Sequence, residues 1–93
     1  MVKVSGNYLI ARTLKEEGVD TLFYLMGGPN FDTIMECQDV GIRTVDFRHE
    51  QAAAMAAHAY SRVTGKPSVV MAASGPGTLN LLTGVYTASI DCA

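Results

Sequence analysis

Residues 48–80, RHEQAAAMAAHAYSRVTGKPSVVMAASGPGTLN, decide the fold because they carry a helix, a strand and a turn signal in succession. The alanine-rich part predicts a helix over about residues 49–63, which Gly65 and Pro67 then end. The apolar run SVVMAA, residues 68–73, predicts a short buried strand that a glycine- and proline-containing turn follows. Because a strand stands between two helical segments, the stretch favours an α/β fold.

The same alternation extends through the rest of the chain. Ser5 is a candidate N-cap for a first helix that ends near Gly18. Further elements are predicted in this order: a strand at residues 21–25, a helix from Phe31 to near Gly41, a strand at 43–47, and a last helix from Thr78 that Gly84 weakens. This order predicts a three-layer α/β/α domain with a parallel sheet. Three strands make a small parallel sheet, so we expect the domain to be incomplete, with later strands absent.

Charge, cysteine and histidine patterns narrow the functional classes. The net charge is −2 without a basic run, which argues against nucleic-acid binding. No apolar run reaches the ~20 residues of a membrane-spanning helix, so we expect no membrane segment. Cys37 and Cys92 lie far apart without a CxxC motif, which indicates reduced thiols in a cytoplasmic protein. His49 and His58 do not share a helix face, so no metal site is predicted on them.

The balance of apolar and charged residues indicates extensive packing. Apolar residues make up 48% of the chain and charged residues only 17%. We therefore expect large buried surfaces, including contacts with other chains. Met26, Met35, Met55 and Met71 are expected to fill the core.

Three loops follow the predicted strands and are candidates for a ligand site. They are Gly27-Gly28-Pro29-Asn30, Arg48-His49-Glu50 and Ser74-Gly75-Pro76-Gly77. Ligands of open parallel sheets bind at the carboxyl ends of the strands, so these loops should meet at one edge. No loop matches a GxGxxG or GxxxxGK[ST] phosphate signature, which argues against a dinucleotide or a P-loop nucleotide as the ligand.

Glu50 stands at the entrance of the alanine-rich helix and has two interpretations. It is either a first-turn acid that interacts with the helix dipole, worth about 0.3–1 kcal/mol, or a functional carboxylate. The second interpretation requires desolvation by the surrounding alanines, which raises a carboxyl pKa while the helix terminus lowers it. A group balanced in this way can share a proton, as a general acid does. Gly75-Pro76-Gly77 likewise suits both a tight connection and the approach of a flat ligand.

Several motifs together resemble the pyrimidine-binding domain of thiamine-diphosphate enzymes of the acetolactate-synthase-like family. An HE pair opens an alanine-rich helix, and TGKP, a hydrophobic strand, SGPG and an asparagine follow it at the family's spacing. The likeness extends from the first helix and its GVD, residues 18–20, to the end of the chain. It implies that residues 1–93 are the N-terminal part of this domain, without the separate diphosphate-binding domain.

The resemblance implies roles for individual residues. Glu50 matches the family's catalytic glutamate, which hydrogen-bonds a pyrimidine nitrogen of the cofactor and controls its protonation. Cofactor contacts are further implied near the thiazolium ring for Gly27, Gly28 and Pro29, and beside the aminopyrimidine for Gly75, Pro76, Gly77 and Asn80. His49, which precedes the glutamate, has an implied supporting role.

The resemblance also implies cofactors and partners. These are thiamine diphosphate and Mg²⁺, with the ion and the diphosphate held by a domain whose GDG motif this sequence lacks. A second subunit would contribute that domain in a homodimer or homotetramer.

The implied reaction makes or breaks carbon–carbon bonds next to a carbonyl, with a 2-keto acid or a 2-hydroxyacyl compound as substrate. Residues 26–30, MGGPN, depart from the GYPG-like form that is usual in acetolactate synthases. A 2-hydroxyacyl-CoA lyase or oxalyl-CoA decarboxylase type therefore stays open beside the acetolactate synthase type. An alternative of another class is a non-catalytic interaction module of the same fold.

Overall fold

A computed structural model of the chain describes residues 4–91. Within this range, three parallel strands form one sheet in the order β2-β1-β3. Their bounds are β1 (Thr21–Tyr24), β2 (Arg43–Asp46) and β3 (Val69–Met71). The register aligns Phe23 of the central strand with Val45 of β2 and with Val70 of β3. The predicted parallel α/β architecture is confirmed.

Four helices accompany the sheet, and each predicted helix is present. They are α1 (Gly6–Glu16), α2 (Phe31–Asp39), α3 (Glu50–Thr64) and α4 (Pro76–Ile90), and a 3₁₀ turn covers Gly28–Asn30. The Ser5 hydroxyl accepts a hydrogen bond from the Tyr8 N–H at 3.1 Å and so caps α1 as predicted. Gly65 ends α3 with a φ of +73°, a left-handed conformation that glycine adopts without steric cost.

Two helix boundaries differ from the sequence prediction. α3 begins at Glu50 because His49 is its N-cap and retains extended backbone angles. α4 begins at Pro76, two residues earlier than predicted, since the fixed φ of proline suits the first position of a helix. The second shift places most of the GPG motif inside the helix.

The core lies on both faces of the sheet. Leu22 points to one face, where it packs with Ala11 of α1, with Ile34 and Cys37 of α2, and with Ile42, which precedes β2. Phe23, the next residue of β1, points to the other face and packs against Ala53 and Ala57 of α3. Side chains alternate along a strand, so two consecutive apolar residues serve two helical layers. Outside these layers, α4 packs against α3.

The expectation that the methionines fill the core is wrong for three of them. Met26, Met35 and Met55 are exposed, and Met71 alone of the four packs against a core cluster. The outer side of α4 is also apolar, with Leu79 65% and Tyr86 68% exposed. Exposed apolar side chains at this density are typical of surfaces that bind other protein segments.

Two further expectations concern the cysteines and the membrane. Cys37 is buried and carries a free thiol, whose pKa burial raises, whereas Cys92 lies outside the described residues. Over residues 4–91, no helix has both the length and the apolar character that crossing a bilayer requires.

A polar cluster ties the end of α3 to the start of β1. The Tyr60 hydroxyl and the Thr21 hydroxyl both donate hydrogen bonds to Asp20 Oδ1. Lys66 Nζ donates to Asp20 Oδ2 at 3.0 Å. The hydrogen bonds from Tyr60, Lys66 and Thr21 lower the pKa of Asp20 to about 2. Residues of the GVD and TGKP motifs therefore meet at the amino-terminal edge of the sheet.

The Asp20 cluster predicts a specific loss of stability in acid. A carboxyl whose pKa is lower in the folded state stabilises the fold above its unfolded pKa of about 3.9. This contribution is lost as the pH falls through the folded value of about 2. The free energy of unfolding, measured by urea titration from pH 5 to pH 2, should therefore fall less steeply in Asp20→Asn than in the wild type. Asp39→Asn, the same change at the exposed end of α2, is the control; equal slopes for Asp20→Asn and the wild type would contradict the prediction.

Candidate functional site

The three candidate loops lie at one edge of the sheet, as the parallel strand order requires. They follow β1, β2 and β3 directly, so all three leave the carboxyl ends of their strands. From β1 the chain passes through α2 to β2 on one side, and α3 then carries it to β3 on the other side of β1. The order therefore reverses around β1, and such switch points are where open α/β sheets bind ligands.

His49 positions Glu50 at the first turn of α3. His49 Nδ1 accepts a hydrogen bond from the Gln51 N–H at 3.1 Å, which satisfies one of the unpaired donors at the helix start. Glu50 is the next residue and is partly exposed. Sequence reasoning gave His49 a supporting role without specifying it, and its capping bond is a concrete form of that role.

Glu50 contacts two of the residues that were predicted with it, and both belong to α4. Asn80 Nδ2 donates a hydrogen bond to Glu50 Oε1 at 3.1 Å. Gly77 lies against the other carboxylate oxygen, because a Cβ added there would stand 3.2 Å from Glu50 Oε2. A side chain at position 77 would therefore crowd the carboxylate, which explains a glycine at this buried position.

The local environment lowers the pKa of Glu50. The largest cause is a hydrogen bond from its own backbone N–H, followed by the bond from Asn80, and partial burial opposes both. The charge of His49 contributes in the same direction as the hydrogen bonds. The hydrogen bonds to the Glu50 carboxylate therefore outweigh its desolvation. The ionised form of Glu50 is favoured over the protonated form in this chain.

Only some of the alanines of α3 are buried, which is consistent with the weak desolvation of Glu50. Ala53, Ala54 and Ala57 face the interior, whereas Ala52 and Ala59 are exposed. Glu50 itself is partly exposed, so the hydrogen bonds outweigh the desolvation that its functional interpretation requires.

Gly75 and Pro76 turn the chain from β3 into α4. Gly75 has φ +77° and ψ −129°, a combination that residues with a Cβ rarely adopt. Its carbonyl accepts the Leu79 N–H at 3.1 Å and thereby starts the helix. The turn sets the direction in which Gly77 and Asn80 approach Glu50.

The Gly27-Gly28-Pro29 loop is organised by Asn30, a residue that sequence reasoning did not single out. Asn30 Oδ1 accepts the Gly27 N–H at 2.8 Å, and its Nδ2 donates to the Leu25 carbonyl at 3.4 Å. The side chain is buried, with 7% exposure for the residue. Among residues 4–91, no hydrogen bond or ion pair joins this loop to Glu50, so the structure forms two subsites along one edge.

Comparisons with known proteins show the family of the chain. The family described as "Thiamine pyrophosphate enzyme, N-terminal TPP binding domain" matches residues 4–93. A probable acetolactate synthase of Mycobacterium bovis is 46% identical over 80 residues, covering 86% of this chain and 15% of its own length. The acetolactate synthase isozyme 2 large subunit of Escherichia coli K12 is 41% identical over 88 residues, covering 95% of this chain and 16% of its own. The 2-hydroxyacyl-CoA lyase 1 of Mus musculus is 38% identical over 90 residues, covering 97% and 16%.

The chain belongs to the thiamine-pyrophosphate enzyme family. It is an acetolactate-synthase-like N-terminal cofactor-binding domain, as the resemblance implied. It spans about one sixth of the length of the curated relatives that it matches.

The residues around Glu50 fit the pyrimidine end of the family cofactor. An ionised carboxylate accepts hydrogen bonds, and a ring N–H is a suitable donor for it. Gly77 adds no side chain beside Glu50 Oε2, and the close approach of a flat ring to the backbone needs such a residue. Within the described part of the chain, no group of three acidic, histidine or cysteine side chains is arranged to hold a metal ion.

Removal of the Asn80 amide should raise the pKa of Glu50. In Asn80→Ala the carboxylate loses a donor that favours its ionised form, so its titration should move to higher pH. Carbon-13 NMR of glutamate labelled at the carboxyl carbon measures this directly, and Glu50→Gln assigns the resonance. Gln51→Ala removes a neighbouring side-chain amide and is the matched control. If Glu50 titrates in Asn80→Ala at the same pH as in the wild type, the 3.1 Å hydrogen bond between the two side chains has no electrostatic effect.

Substitution of Gly75 should destabilise the protein. Alanine at this positive φ costs about 1–3 kcal/mol, which should appear as a lower free energy of unfolding in urea. Gly28→Ala is the control, because position 28 has no positive φ and an added Cβ there meets no atom within 4 Å. Equal losses in the two variants would mean that backbone strain at Gly75 is not the cause.

Proposed function

We propose that this chain is the pyrimidine-binding part of a thiamine-diphosphate-dependent enzyme that makes or breaks carbon–carbon bonds next to a carbonyl. The observation that supports this most directly is the contact of Glu50 with Asn80 and Gly77 at the carboxyl edge of the sheet. It unites a helix-terminal carboxylate, an amide and a glycine without a side chain in a chain of the matching family. The proposed reaction type is that of acetolactate synthase, with a 2-keto acid as substrate.

Each site residue has a defined task in this proposal. When bound, thiamine diphosphate supplies a carbon nucleophile that attacks the carbonyl and stabilises negative charge beside it. Glu50 holds a proton at a pyrimidine nitrogen, and Asn80 keeps the carboxylate oriented toward that nitrogen. Gly75, Pro76 and Gly77 bring the backbone close to the flat ring, while Gly27, Gly28 and Pro29 border the thiazolium and the substrate.

The lowered pKa of Glu50 is compatible with this task. An ionised acid accepts a hydrogen bond from a ring N–H, whereas a neutral acid would donate to an unprotonated ring nitrogen. Burial of Glu50 under the cofactor and a second subunit would raise its pKa again and bring the two states closer in free energy. Closure of the site would thus convert a charged surface carboxylate into a proton-sharing group.

We further propose that residues 1–93 form part of a longer chain that acts as a homodimer or homotetramer in the cytoplasm. The coverage of about one sixth of each relative supports a longer protein. The exposed apolar side chains of α4 support contact with further protein segments. In this arrangement the second subunit contributes a domain that holds the diphosphate and Mg²⁺.

The similarity to 2-hydroxyacyl-CoA lyase 1 favours a second candidate activity of the same chemical type. Residues 26–30, MGGPN, form the loop that would border the substrate, and they depart from the form usual in acetolactate synthases. Cleavage of a 2-hydroxyacyl-CoA, or decarboxylation of oxalyl-CoA, is therefore the alternative reaction. A non-catalytic module is the less favoured alternative because the Glu50 site is complete in its carboxylate, amide and glycine.

Glu50→Gln should slow activation of the cofactor at least about 100-fold, because a neutral amide cannot hold the proton as a carboxyl group does. Hydrogen–deuterium exchange at the thiazolium carbon, followed by NMR in the full-length protein loaded with thiamine diphosphate and Mg²⁺, measures this rate. Glu17→Gln makes the same chemical change at the exposed end of α1 and should exchange at the wild-type rate. An unchanged rate in Glu50→Gln would exclude the assigned role.

A further inference from the structure

Gly84 makes the closest contact between α3 and α4. It is buried in the middle of α4, and a Cβ added there would lie 2.3 Å from Ala54 Cβ. The same Cβ would lie 3.1 Å from two backbone atoms, Ala54 C and Met55 N. Because backbone atoms cannot rotate away as a flexible side chain can, a residue larger than glycine requires the helices to separate.

This contact lies one helical turn from the Glu50–Asn80 hydrogen bond. Gly84 follows Asn80 by four residues in α4, and Ala54 follows Glu50 by four residues in α3. Residues four apart lie on the same face of a helix, one turn along its axis. The glycine–alanine contact and the amide–carboxylate bond therefore belong to the same helix–helix interface.

We propose that Gly84 is a positioning residue that sets the separation of α3 and α4 at which Asn80 reaches Glu50. The sequence suggested only that this glycine weakens α4, at a cost of about 1 kcal/mol. The structure assigns it a compensating role, since α4 is continuous through Gly84 and lies against α3 there. The importance of the Glu50–Asn80 pair for cofactor activation rests on the proposed function, whereas the geometric coupling does not.

The distances show that a substitution at Gly84 would separate α3 and α4 far enough to break the hydrogen bond between Asn80 and Glu50. Carbon atoms in ordinary contact are about 3.5–4.0 Å apart, so relief of a contact of 2.3 Å moves the two Cβ atoms apart by more than about 1 Å. The amide–carboxylate bond is 3.1 Å long, and at about 3.6 Å it ceases to be a hydrogen bond. A shift of half that size at Asn80 would already break it.

The test uses the full-length protein without cofactor and reads the carboxyl titration of Glu50 by carbon-13 NMR. Gly84→Ala should raise the pKa of Glu50 by as much as Asn80→Ala does, since both remove the same hydrogen bond. Gly6→Ala is the matched control, because a Cβ at position 6 meets no atom within 4 Å. Gly6 begins α1, so this change leaves the contact between α3 and α4 intact and the Glu50 titration should keep its wild-type pKa.

The exchanged pair Ala54→Gly/Gly84→Ala provides the rescue. It moves the methyl group from one helix to the other and removes the 2.3 Å contact between the two Cβ atoms, while the 3.1 Å contacts with backbone atoms remain. We expect it to recover at least half of the change in the Glu50 titration. If Gly84→Ala does not fold, Ala54→Ser, which adds one oxygen atom at the same contact, replaces it with the same expected direction. A wild-type Glu50 titration in the folded single variant overturns the proposal, as does an exchanged pair without any recovery.

Cofactor affinity separates failure of this inference from failure of the proposed function. Calorimetric titration with thiamine diphosphate and Mg²⁺ should show at least tenfold weaker binding in Gly84→Ala than in the wild type. Absence of binding by the wild type would contradict the proposed function, and the cofactor-free carboxyl titration would still decide the role of Gly84. Normal affinity together with a raised Glu50 pKa would limit the role of Gly84 to the hydrogen bond and exclude one in binding.

Discussion

The hydrogen bond from Asn80 to Glu50 is the interaction on which the candidate site depends. It connects the first residue of α3 with the fifth residue of α4, and these helices follow different strands of the sheet. The bond forms only because small residues allow the two helices to approach closely. Gly77 leaves space beside the carboxylate, and Gly84 fits against Ala54 one turn further along. The hydrogen bond between Asn80 and Glu50 therefore depends on glycines, which place no side chain between α3 and α4.

The two ends of α3 have different tasks. Its last turn is fixed to the sheet by the cluster around Asp20, in which Tyr60 and Lys66 donate hydrogen bonds to one carboxylate. Its first turn presents Glu50 at the opposite edge of the sheet, where the strands end. Attachment at the amino-terminal edge limits rotation of the helix, and a carboxylate on a fixed helix loses little conformational entropy when a ligand binds. The contacts that attach α3 to the sheet and the candidate site therefore lie at opposite ends of the helix.

Much of the fold follows from local patterns in the sequence. The alternation of apolar strands with capped helices identified the three strands and four α-helices of residues 4–91, because caps and glycine stops act within a few residues. The structure brings Glu50, Gly77 and Asn80 together, and the cofactor roles that the family resemblance implies for them stay predictions. Glu50 of the HE pair and Asn80 meet at the carboxyl edge of the parallel sheet, whereas the GVD and TGKP motifs meet at its amino-terminal edge.

Other features depend on contacts between segments that are distant in sequence. The pairing of Gly84 with Ala54 has no local signature, so the glycine was interpreted as a weak point of α4. The ionised state of Glu50 is a sum of opposing effects, and their balance requires the positions of Asn80 and of the helix terminus. The exposure of Met26, Met35 and Met55 was missed because an apolar residue suits a protein interface and a core equally well.

A crystal structure of the full-length protein with thiamine diphosphate tests the central claim most directly, through the distance from the Glu50 carboxylate to the pyrimidine ring of the cofactor. We predict that one Glu50 oxygen lies about 2.6–3.0 Å from a ring nitrogen and that Asn80 still donates its hydrogen bond to the other oxygen. A cofactor whose pyrimidine ring lies away from Glu50, with another acid at the ring nitrogen, would contradict it.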